Sequence, residues 1–218
     1  MTSTFSFVYA KINPSNNKGA EKMNNSYLEE TSNGIREIVV ESKLLAERKI
    51  FLCGQITSET TVNFVQAMLY LVQSVEPISL YINSAGGDVN AGLAIYDIIQ
   101  GCKSELRAYC IGQAFSMAAI ILAGCQKGRR FILPHSQVMV HEAMLGGEFD
   151  GTAVSVRNLA ERLSDTQKQL NDILSRHTGR SLEDIIRDVS FDNFLSAERA
   201  VELGFCDKII DNIWEERV

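Results

Sequence analysis

No cluster of Lys or Arg occurs in these 218 residues, and the formal net charge is −6. Nucleic acid and anionic membranes are therefore poor expectations for partners. Long apolar runs are missing too: the longest, such as 116–125, are too short to cross a bilayer. Residues 1–10 lack a basic segment followed by a long apolar core, so no secretory signal is expected. The five cysteines (Cys53, Cys102, Cys110, Cys125, Cys206) are odd in number, and no two have metal-ligand spacing. That excludes a disulfide framework and a zinc site, and free buried thiols in a reducing, cytoplasmic compartment are the expectation. No P-loop signature is present, and no metal or other cofactor is implied. Histidine is scarce, with three in the chain, so the search for a catalytic base is short.

With 45% hydrophobic residues and only three prolines, the chain can bury a substantial core. Residues 1–25, rich in Ser, Asn, Thr and Lys, read as a flexible leader or propeptide, and 26–218 as a single domain. Strand-like and helix-like runs then alternate. Strands are expected at 48–54, 78–82, 106–111, 130–133 and 137–140. Helices are expected around 62–72 with Ser58 as cap, over 89–99 and 118–123, and over 152–176 with a stop at Gly179. Two short helices close the chain, near 182–187 and at 197–203 with Ser196 as cap. The alternation points to an α/β fold of stacked β-α-β units with a largely parallel sheet.

Function in such folds sits in loops at the carboxyl ends of strands. Three stand out: Asn83–Gly87, Ala114–Ser116 and Val140–Glu142. A serine at a strand-to-helix turn, flanked by small residues, is pushed out of the backbone as a nucleophile would be. By itself the window is a weak signal, because Ala114 and Ala118 stand where a nucleophile elbow usually has glycines, and serines before helices are far more often N-caps than nucleophiles. Among the histidines, His177 ends a helix and suits a capping role, and His135 follows Pro134 in a solvent-facing turn. His141 ends an apolar strand at the loop face, which suits a base acting on Ser116.

Taken together, the segments resemble ClpP, the proteolytic subunit of the Clp protease, from about Ser26 to Asp211. The resemblance is carried by Leu52-x-Gly-Gln55, Leu80-Tyr-Ile-Asn-Ser-x-Gly-Gly87, Gly112-Gln-Ala-x-Ser-Met117, Met139-x-His141, His177-Thr-Gly179 and Phe194-Leu-Ser-Ala197. It implies a ClpP/crotonase-type spiral of β-α-β units with a protruding handle helix. It further implies stacked seven-membered rings, unfolded protein substrates delivered by a separate AAA+ Clp unfoldase, and a Ser-His-Asp triad of Ser116, His141 and Asp192. Asp188, one helical turn earlier, is the alternative carboxylate. Backbone amides of Gly87 and Met117 match the oxyanion hole, and paired glycines let an amide turn toward an anion without a Cβ clash.

The chain departs from the family pattern at several places. Ser-Pro-Gly-Gly is Ser84-Ala-Gly-Gly87, Gln-Pro after the histidine is Glu142-Ala143, and an acidic–Arg pair before the aspartate is Ser190-Phe191. Loss of that arginine is expected to weaken contact between identical rings. Ser79 and Gly101 replace aromatics expected around the unfoldase-docking pocket, although Tyr81 remains, so weak docking is expected. Two other readings remain open at this level: a largely structural subunit that activates a paralogous ring, and an acyl-CoA enzyme of the crotonase type.

Overall fold

The computed structural model describes residues 25–31, 34–146 and 150–214, so nearly all of the expected leader lies outside it. Its two compact units meet in sequence at Lys49/Ile50. In the first, β1 (Ser26–Thr31) and β2 (Gly34–Val39) pair antiparallel and lead into α1 (Val40–Ala46).

The second unit is built on a seven-stranded sheet among the described residues, ordered β3-β4-β5-β6-β9, with β7 beside β5 and β8 beside β7. Its strands are β3 (Lys49–Ile56), β4 (Ile78–Gly87), β5 (Leu106–Phe115), β6 (Arg130–Ile132), β7 (Gln137–Val140), β8 (Asn193–Leu195) and β9 (Lys208–Ile209). The β4–β5, β5–β6, β5–β7 and β6–β9 pairs are parallel, and the β7–β8 pair is antiparallel. The helices are α2 (Ser58–Leu71), α3 (Val89–Gln100), α4 (Met117–Gly124), α5 (Ala153–Thr178), α6 (Leu182–Val189) and α7 (Ala197–Glu202). None of the described helices is long and apolar enough to cross a membrane.

All eight residues of α4 are buried, which explains why this helix is apolar all round rather than striped. In α5 burial is confined to Leu170, Asn171, Ile173 and Leu174, so the turns before them project with exposed Val154 and Val156. On the sheet itself Phe51, Tyr81, Tyr109 and Phe131 stack in series, with ring centroids 5.1–5.2 Å apart across four neighbouring strands. Tyr81 is thus an inner rung of this ladder and largely buried.

Several sequence expectations need correction. The cap of α2 is Thr57, in a reciprocal box with Thr60, and not Ser58. Asn83–Gly87 is not a loop: β4 runs on to Gly87 across a register irregularity between Ile82 and Ser84. Likewise β5 continues to Phe115, because its second half finds a new partner in β7. Cys53 is exposed, whereas Cys110, Cys125 and Cys206 are buried. Burial pushes the Cys110 and Cys125 thiols up to about 12, which makes them poor nucleophiles. His177 lies in the last turn of α5, and its Nε2 is 2.8 Å from the Tyr96 hydroxyl.

Arg130, expected to open a strand, is the largest fully buried side chain among the described residues. Its Nε and Nη2 reach the two Asp207 carboxylate oxygens at 2.9 and 2.6 Å. Its Nη1 donates to the carbonyls of Ala123 in α4 and His177 in α5, at 3.0 and 3.3 Å. One guanidinium therefore satisfies C-terminal carbonyls of two helices and ties them to Asp207, the residue before β9.

Candidate active site

Three neighbouring strands deliver three side chains to one place. In the parallel β5–β7 register Phe115 lies opposite Met139, and the Ser116 amide donates to the Met139 carbonyl at 2.8 Å. In the antiparallel β7–β8 register Val140 lies opposite Asn193, so the next pair outward is His141 and Asp192. Edge-to-face packing of Phe115 on Phe194, with centroids 5.5 Å apart, helps to fix the end of β8 against β5.

Ser116 sits at the N-cap of α4 but makes no capping bond with its side chain. Its Oγ lies 2.8 Å from His141 Nε2. The backbone at Ser116 has φ 55° and ψ −124°, a region that costs a non-glycine residue on the order of 1–3 kcal/mol. Such strain at a strand-to-helix turn throws the hydroxyl clear of the chain. His141 Nδ1 lies 3.5 Å from Asp192 Oδ1, and the carboxylate side chain is 68% exposed. Asp188 is engaged elsewhere, paired with Arg180, and its side chain is 15% exposed. Of the two candidate carboxylates, then, Asp192 is the one beside the imidazole.

Gly86 and Gly87 line the other wall. A Cβ on Gly86 would stand 2.5 Å from the Phe115 carbonyl and 2.8 Å from Ser116 Cβ, and one on Gly87 would stand 2.2 Å from the Ile56 carbonyl. Both positions also have positive φ, 85° and 154°, so only glycine fits. With no proline in this irregular end of β4, the buried Ser84 holds it instead. Its Oγ donates to the Gly54 carbonyl at 2.6 Å and accepts from the Gly86 amide at 3.0 Å. Met117 opens α4, where an amide has no acceptor within its own helix.

A model of the Clp protease family matches residues 31–213. The chain belongs to the Clp protease family. The mostly parallel sheet with its helices is consistent with the ClpP fold, and at family level the chain is a Clp-type protease. The cleft around Ser116 is lined by Gly87, His141, Met117, Leu170 and Asn171, among others. Gln167 and Asn171 also belong to it, and sequence reading missed both. Their only sequence signal was a pair of carboxamides four apart among the leucines of α5.

Proposed function

We propose that this chain is a serine endopeptidase subunit of a compartmentalised protease, hydrolysing peptide bonds of unfolded proteins through an acyl-serine intermediate. The observation that carries the reading is the 2.8 Å contact between Ser116 Oγ and His141 Nε2 at a strained strand-to-helix turn. His141 Nε2 takes the Ser116 proton as Oγ attacks the peptide carbonyl. The imidazolium so formed gives that proton to the leaving amine. Water then attacks the ester by the same proton path and frees the acid. Asp192 holds the imidazole tautomer and offsets its charge, while the Gly87 and Met117 amides face the developing oxyanion. The proposal includes stacked seven-membered rings in a cytoplasmic compartment, served by an AAA+ Clp unfoldase.

The test is cleavage of a fluorogenic short peptide, with fluorophosphonate labelling, by the chain and its Ser116→Ala variant. Serine-dependent turnover and labelling are expected; turnover that survives Ser116→Ala overturns the reading. A second reading, of a subunit completed by a paralogous ring, is favoured by the exposed Asp192 at 3.5 Å and by Ser190-Phe191 immediately before it. Labelling that appears only after a second Clp protease ring is added would select it.

A further inference from the structure

Just beyond His141, the Ala143 amide donates to Gln167 Oε1 at 2.6 Å. Gln167 Nε2 donates in turn to Asn171 Oδ1 at 2.7 Å. Both carboxamides lie four residues apart on one face of α5. A backbone N–H can only donate, so the Gln167 atom facing it is oxygen, its nitrogen turns to Asn171, and the Asn171 oxygen turns back to meet it. A single main-chain N–H thereby sets the orientation of both side chains. Residue 143 can serve because it is alanine; the family's proline would have no N–H to give.

What remains is the Asn171 amide nitrogen with both hydrogens. Asn171 is 5% exposed, yet among the described residues no buried side-chain nitrogen or oxygen lacks a partner. A nitrogen with no bond of its own therefore keeps some exposure, and Asn171 lines the cleft together with Ser116 and His141. The same cleft is lined by apolar Met117, Ile120, Leu170, Leu174 and Val189, with the carboxylate of Glu142 among its polar residues.

We infer that Asn171 is a specificity-determining donor, which bonds the carbonyl of an uncharged amide side chain, glutamine or asparagine, on the peptide seated beside Ser116. Gln167 is its positioning residue, holding the donor outward. The inference rests on the peptidase reading above. A fixed donor in an apolar wall discriminates because a side chain without an acceptor strips water from that N–H and replaces it with nothing. A carboxylate would bring an acceptor but lose its hydration against the same wall.

Binding is the readout, so the test does not depend on turnover. Fluorescence anisotropy on the full chain carrying Ser116→Ala would compare alanine-rich hexapeptides with one central Gln, glutamate γ-methyl ester (an acceptor only) or Met. Gln and the ester should bind tighter than Met, by up to about tenfold for one hydrogen bond. Adding Asn171→Leu should bring the three within twofold. Gln167→Glu is the sharper variant: its carboxylate still accepts from Ala143 but cannot donate, so Asn171 reverses and shows its oxygen to the cleft. The ester should then fall to the level of Met while Gln, which can donate, keeps its advantage. A merely structural role for Gln167 would move all three together. Equal affinities in the Ser116→Ala background, an unchanged order in both variants, or no binding of any peptide overturns the inference. Fluorophosphonate labelling of Ser116 in the unsubstituted chain reports on the peptidase reading separately.

Discussion

At Ser116 the backbone is held where a serine rests badly, and Gly86 supplies the room: its missing Cβ would fall 2.8 Å from the serine Cβ. Gly86→Ala should therefore destabilise the fold by about 1–3 kcal/mol and silence Ser116, measured by denaturant unfolding and fluorophosphonate labelling. A variant that labels at the normal rate would show that the turn is not rigid. The two carboxylates are separable in the same way. Asp192→Asn should slow labelling about 10- to 100-fold, less than for a fully buried triad aspartate, because its contact is 3.5 Å and exposed. Asp188→Asn should cost stability through Arg180 and leave the labelling rate within a few fold. Equal rate losses would contradict the assignment. Ser116 and His141 were legible because each stands at the end of an apolar run beside a small-residue turn. The choice of Asp192 over Asp188 was not physically legible, since both fit the sequence and only the β7–β8 register separates them.

At the scale of elements, Arg130 joins α4, α5 and the residue that leads into β9, so the helix that follows Ser116 and the helix that walls the cleft share one buried cation. Arg130→Met strands Asp207 and should cost about 3–5 kcal/mol in chemical denaturation, as breaking a buried pair does. Burial raises the Asp207 carboxyl, but Arg130 and the amides of Arg130 and Gly128 more than offset this and leave it below its ordinary 3.8. A depressed carboxyl favours the folded state fully above 3.8 and loses that contribution as pH falls through the folded value, so the wild-type advantage over Arg130→Met should shrink below about pH 4. His177 behaves alike in sign. Desolvation, with Arg130 and Arg176 adding to it, holds its imidazole below 6.5, so stability present above that pH is lost on acidification. His177→Gln should flatten the fall of Tm as pH drops below 6.5; an unchanged slope would sink the argument. Strand existence was readable from apolar runs, but the length of β5 was not, because its second half is extended by β7 pairing rather than by local pattern.

For the molecule as a whole, the projecting turns of α5 expose Val154 and Val156, and the segment carrying Asp192 exposes Phe191 and Phe194. Surfaces of this kind are covered by assembly. On the proposed reading, sedimentation should find the chain as rings that do not stack stably, and Ser190→Glu with Phe191→Arg should raise the double-ring fraction several-fold by supplying a charge-assisted contact. A stable double ring of the unsubstituted chain would refute this. Composition, the order of strand-like and helical runs, and the scarcity of histidine were enough by themselves to determine an α/β class and to narrow the chemistry to a few loops, because period and turn chemistry are local properties. Only the tertiary structure decided which strands lie side by side, hence which carboxylate meets His141, why an arginine is buried, and which way the amides of Gln167 and Asn171 face. Those outcomes depend on register and on partners distant in the chain, and no local pattern encodes them.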